Sequence, residues 1–137
     1  MAFWLFKSEP GTWSWEDQVN TDIEGWDGVR NHQACNNMRA MKKGDLGFFY
    51  HSVNERQIVG IVRVAKEFHP DPTDESGKFG MVGVQAVKAV ETPVTLQQIK
   101  QDGRFENFAL IRQSRLSVVP VSADHWAWIC QMAGATA

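Results

Sequence analysis

A chain of 137 residues with 43% hydrophobic content is the size of one globular domain with a sizeable core, and its composition does not suggest disorder. Sixteen acidic residues outweigh fourteen Lys and Arg, for a formal charge of −2. That argues against a protein coating nucleic acid through a basic face, so any such role must rest on a pocket helped by local positive charge. Cys35 and Cys130 stand far apart with no CxxC, against a disulfide scaffold or zinc site and in keeping with reduced thiols in a cytoplasm.

In chain order, Phe3–Ser8 alternates with one face wholly apolar and reads as a strand entering the core, stopped by Pro10 and Gly11. No basic residue precedes this apolar run, so MAFWLFKSEP is not read as a secretory signal. No stretch approaches the roughly 20 apolar residues that span a bilayer. Ser14, with Asp17 three residues on, opens a short helix through about Val19. A second helix is expected from about Val29 to Lys43: Ala34, Met38 and Met41 share a face, and Gly44 serves as a left-handed stop. Arg30, Asn31 and Asn37 flank that stripe, while His32, Asn36 and Arg39 lie opposite it. Leu46–Ser52 and Gln57–Lys66 form a hairpin around Val53–Arg56, and the apolar run Ile58–Val64 suggests a central strand.

His69–Gly80, rich in Pro, Asp and Gly, reads as a loop whose Asp71, Asp74 and Glu75 are solvated. Met81–Val90 returns as a strand, and Thr95 with Gln98 makes a capping box for a short helix before Gly103. Arg115–Val121 is a last strand. Ser122–Ala133 places Trp126, Ile129, Met132 and Ala133 on one face of a C-terminal helix. About five strands joined mostly by short turns, with three or four short helices, predict one antiparallel, barrel-like α+β domain over residues 1–137.

Polar groups concentrate at four element boundaries: Lys7–Pro10, Trp26–Asn37, Tyr50–Ser52 and Arg112–Ser117. His51 and Ser52 are strand neighbours and point to opposite faces, a poor geometry for activating a nucleophile. His32, His51, His69 and His125 lack the close pairing of a metal shell. No glycine-rich phosphate cradle is present. Trp26 precedes an Asp27-Gly28 turn and a helix start. It has two readings, a core anchor or a stacking wall with Arg30 and Asn31 nearby to hydrogen-bond a base edge.

The motifs FWLFKSEP, WDGVRNHQACNNMRAMKKGDLGFFYHSV, QIVGIVRV, FHPDPT, GKFGMV, VTLQQIK and SRLSVVPV resemble the EVE-domain family over Phe3 to about Met132. The resemblance implies a PUA-like fold, a small mixed, mostly antiparallel barrel related to the YTH domains. It also implies non-catalytic binding of a modified base in DNA or RNA, notably a modified cytosine, without a cofactor or metal. Lys7, Ser8 and Glu9 would form one wall of that pocket, and Trp26, Arg30, Asn31 and Asn36 a second. Tyr50, His51 and Ser52 would form its floor, and Arg115 and Ser117 its rim. Asn36 fits least, since the helical wheel turns it away from the apolar stripe. Arg39, Lys42, Lys43 and Arg112 would contact phosphates, joined by Arg30 and Arg115. Cys35 stands where the family often has arginine. Two other readings stay open: a small enzyme or sensor of a nucleotide-like metabolite, with Glu9 or His51 as acid–base group, and a protein-interaction module.

Overall fold

Six strands form one sheet in the computed structural model, which describes residues 1–135. They are β1 (Phe3–Ser8), β2 (Glu24–Gly25), β3 (Leu46–His51), β4 (Gln57–Pro70), β5 (Gly80–Thr95) and β6 (Val118–Val121). Their order is β2-β5-β4-β3-β1-β6. Every pairing is antiparallel except β1 with β3, which runs parallel from Phe3↔Leu46 to Ser8↔His51. A parallel pair cannot be joined by a tight hairpin. Residues 9–45 therefore form a crossover that carries α1 (Trp15–Val19), β2 and α2 (His32–Ala40).

The architecture is α+β as expected, but the sheet is not closed into a barrel. Its edges are β2, only two residues long, and β6, where Pro120 cannot donate a ladder hydrogen bond. Helix α2 packs against β4, β5 and β6. On the β6 side, Asn37 Nδ2 donates to Val118 O at 2.8 Å. The helix thus takes the place of a closing strand.

Strand β4 lies between its neighbours as the apolar run predicts, with Ile58, Ile61, Val62 and Val64 fully buried. These side chains join Leu5, Phe6, Phe48, Phe49, Val82 and Val84 in the core. On β4, Gly60 allows the Trp15 ring to lie directly on the backbone; a Cβ there would sit 2.5 Å from the ring carbons. Helix α5 (Ala123–Ala133) lays Trp126 against Phe3 and Phe48, with ring centroids 4.6 and 4.0 Å away.

The helix start at Ser14 and the Thr95–Gln98 capping box, which opens α3 (Leu96–Gln101), form as read, and Ser14 with Asp17 also closes into a capping box. Other boundaries differ. Helix α2 begins three residues later than expected because Asn31 stays extended and accepts the Ala34 N–H at 2.9 Å. It ends at Ala40, because Lys42 N donates to Asp45 Oδ2 rather than to the helix. Gly44 is left-handed but lies in the turn beyond. Residues before Val118 form a turn instead of a strand, with Leu116 N bonded to Gln113 O. Three short elements escaped the sequence reading: β2, a 3-10 turn at Gly103–Phe105 and α4 (Ala109–Arg112).

Candidate functional site

At the end of β1 the chain leaves the sheet, and β2 and the segment leading to α2 face it across a recess of about 400 Å³. Trp26 forms part of its wall. The indole packs edge-to-face on Phe6 and Phe49, at 5.3 and 5.9 Å between centroids, and is only half-buried. Trp26 is therefore both a core anchor and a recess wall: two core rings fix it while part of its surface stays open.

Lys7 and Ser8 line the recess from β1 and Glu9 from just beyond it, Arg30 and Asn31 from the α2 start, and Ser117 from the turn just before β6. Their hydrogen bonds decide what each has left to offer. Ser8 Oγ donates to Trp13 O. Glu9 accepts from Gly11 N and Thr12 Oγ1 at 3.0 and 3.3 Å. Asn31 Oδ1 caps α2, which leaves its amide hydrogens for a ligand. Lys7 Nζ donates to Ser114 O at 2.9 Å, and burial lowers its pKa from the ordinary lysine value.

Sequence reasoning missed Trp13, Glu24 and the Gly28-Val29 turn, which also line the recess. The Glu24 carboxyl has no hydrogen-bond partner among the described residues, although its backbone pairs with Val84. Burial, and then the neighbouring Asp27 charge, push its carboxyl above the usual range. A raised acid and a lowered base in one concavity mark it as a functional candidate. Glu24 was legible in principle, because alternation along Glu24-Gly25-Trp26 puts the carboxylate and the indole on the same side.

Asp71 is the largest correction. It is 3% exposed rather than solvated. Its Oδ2 accepts from Gly28 N at 2.8 Å and Arg30 Nη1 at 3.1 Å, and its Oδ1 from Thr73 N and Thr73 Oγ1 at 2.8 and 2.6 Å. Burial by itself would raise this carboxyl. The hydrogen bonds from Thr73, Gly28 and Arg30 outweigh it and hold the pKa at about 2. Gly28 takes φ +78 in this turn, a conformation that favours glycine. The turn and Arg30, whose guanidinium also lies 5.5 Å from the Phe79 ring centre, are thus pinned to the loop after β4.

Several expected residues are not brought to the recess. His51 is buried with Nε2 accepting from Trp15 N at 2.9 Å and Nδ1 on Glu55 at 3.0 Å, so it fastens α1 to the sheet. Tyr50 and Ser52 line a different recess. Asn36 is exposed on the outer side of α2, and Arg115 projects from the turn before Ser117. Lys42 and Lys43 precede β3, at the opposite end of the β1–β3 pair, roughly 15–20 Å from the recess at the rise of a strand. Arg39 stacks over Phe68 at 4.3 Å, and Arg112 bonds Glu106 O at 2.8 Å. Cys35 is 2% exposed, so its thiol faces neither solvent nor a phosphate. Among the described residues no cluster of three or more His, Cys, Asp or Glu is placed to hold a metal, and no helix is long and apolar enough to cross a membrane.

The family model described as EVE domain matches residues 2–132. Thymocyte nuclear protein 1 of Gallus gallus is 35% identical, over 94% of this chain and 67% of that protein. A solved protein from Rhodopseudomonas palustris is 49% identical with a TM-score of 0.93, covering 98% of this chain and 94% of that one. Human THYN1, solved in complex with DNA containing 5-methylcytosine, is 30% identical with a TM-score of 0.91 and covers 100% of both chains. An ASCH protein from Zymomonas mobilis, 9% identical with a TM-score of 0.60 over 95% of this chain and 94% of that one, shares the fold alone.

Proposed function

The chain belongs to the EVE-domain family, and from that premise we propose that the Trp26 recess holds a modified cytosine in DNA without altering it chemically. The observation carrying this reading is an open indole wall beside polar groups that lack protein partners, in a chain similar to a protein solved with 5-methylcytosine DNA.

A base leaving the duplex gives up a few kcal/mol of stacking and pairing. Stacking on Trp26 contributes roughly 1–3 kcal/mol, so hydrogen bonds at the base edge must supply the balance. Glu24 is an acceptor for the exocyclic 4-amino group, which cytosine has and thymine lacks. The Asn31 amide and Ser117 hydroxyl are donors for the ring nitrogen and carbonyl. Val29, 8% exposed in the lining, offers an apolar surface to a 5-methyl group. One buried methyl is worth only about 0.8 kcal/mol, so discrimination of methylated from plain cytosine is modest.

The bonding pattern favours a reader over an enzyme. His51 faces α1 and not the recess, the Ser8 hydroxyl is held by Trp13, and Glu9 is tied to Gly11 and Thr12. The test is anisotropy binding of oligonucleotides carrying 5-methylcytosine, cytosine or thymine at one site, with Trp26→Ala as control. Preference for 5-methylcytosine, lost in Trp26→Ala, is expected. Equal binding by Trp26→Ala, or conversion of the base, would overturn the proposal.

A further inference from the structure

Lys7 belongs to two concavities. One is the Trp26 recess; the other, about 390 Å³, has Lys7, Arg56 and Lys100 as its charged lining and Tyr50, Ser52 and Ser114 as its hydroxyls. No carboxylate lines it, although the chain carries more acidic than basic residues.

Its cations are positioned. Arg56 closes the β3–β4 hairpin with φ +49 and donates Nε to Val53 O at 2.9 Å. Its two terminal nitrogens have no acceptor among the described residues. Arg56 and Tyr50 line the same recess, and the Arg56 charge eases back a phenol that burial pushes up. Lys100 comes from the last turn of α3, and Lys7 is held by Ser114 O. Arg56 and Lys100 also border an adjoining groove that holds Glu55, whose Oε1 is engaged by His51 and Gln57. Three cations and three hydroxyls converging without an acid make a site for an anion with several acceptor oxygens.

We propose that this second recess binds a phosphate of the ligand whose base occupies the Trp26 recess, with Lys7 between the two. The proposal rests on the base-binding reading above. It also replaces Arg39, Lys42, Lys43 and Arg112 as the phosphate contacts that matter for that base. A polynucleotide backbone and a free nucleotide supply the same group, so the probes must separate them.

The experiment compares 5-methyl-2′-deoxycytidine, its 5′-monophosphate and a single-stranded oligonucleotide containing 5-methylcytosine. The proteins are the parent, the exposed pair Arg56→Gln/Lys100→Gln, the single Lys100→Gln and Trp26→Ala, each checked for folding by thermal melting. The pair should bind the nucleoside as the parent does and lose about ten-fold or more on the oligonucleotide at low salt. Its slope of log K against log salt should be shallower by up to about 0.7, for one single-strand phosphate contact. A loss that extends to the monophosphate assigns the recess to the nucleotide's own phosphate; a loss confined to the oligonucleotide assigns it to the next one along. Should the pair fail to fold, Lys100→Gln alone carries the test, with half that change in slope. Unchanged oligonucleotide affinity and slope overturn the proposal. If Trp26→Ala binds like the parent while the pair is weakened, the base reading falls and the phosphate recess stands.

Discussion

Replacing Asp71 by Asn removes one charge from a fully enclosed site, and the size of the effect follows from that carboxyl's own titration. Holding it at about 2 instead of its ordinary 3.8 corresponds to about 2 kcal/mol of stability at neutral pH, at about 1.4 kcal/mol per pKa unit. The group is depressed in the fold, so its contribution is present above the unfolded value and is lost as pH falls through the folded one. About half of it should remain near pH 3. Asp71→Asn should therefore lower the unfolding free energy by about 2 kcal/mol at pH 7, with a gap to the parent that narrows below about pH 4. Asp71→Ala goes further, because Gly28 N–H, Thr73 N–H and the Arg30 guanidinium lose their acceptor. Because the Arg30 side chain is 41% exposed and can be hydrated, the added cost is that of the stranded backbone donors, about 1–3 kcal/mol. Urea unfolding of both variants between pH 7 and 3 measures this directly. A loss under about 0.5 kcal/mol for Asp71→Ala, or a gap that does not depend on pH, would refute the idea that this carboxylate ties the recess wall to the loop after β4.

Other expectations test neighbouring parts of the structure. Glu24, raised by burial and by Asp27, contributes stability below the ordinary carboxylate range and loses it as pH rises through the raised value. Glu24→Gln should therefore melt no lower than the parent at pH 7, yet weaken binding of a cytosine-type base about ten-fold; a lower melting point or unchanged affinity counts against its role as acceptor. His51→Ala strands the Trp15 N–H and should cost about 1–3 kcal/mol in urea unfolding while oligonucleotide affinity, measured below the denaturation midpoint, stays at the parent value. Gly60→Ala drives a methyl into the Trp15 ring and should destabilise by about 1–3 kcal/mol, with a shift in near-UV circular dichroism reporting the displaced indole.

The sequence made local features legible and spatial ones hard to see. The helix start at Ser14, the Thr95–Gln98 capping box, the β3–β4 hairpin and the buried run in β4 are written within a few neighbouring residues, and they formed as read. Sheet closure is different. It depends on whether two edges meet, and here α2 lies in the way, which no periodicity records. The same limit shaped the reading of the recess. Lys7, Ser8, Glu9, Trp26, Arg30, Asn31 and Ser117 came together, but Tyr50 and Ser52 were grouped with them only through the family resemblance and open onto the other side of Lys7. Asp71 was misjudged because a Pro- and Asp-rich stretch has the composition of a solvated loop. Its burial comes from partners 41 and 43 residues away in the chain.

Because β1 and β3 run in the same direction, some long excursion between them is unavoidable, and most of the recess wall belongs to that excursion. An architecture of this kind separates inheritance from adaptation. Ala34, Met38 and Met41 of the intervening segment are buried in the frame's core, so on the base-binding reading it is the recess-facing side chains of that segment that can be exchanged to change the heterocycle accepted. Exchanging the recess-facing positions of residues 9–45 between members of the family, with the buried positions kept, is thus a natural route to new base preferences on an unchanged frame.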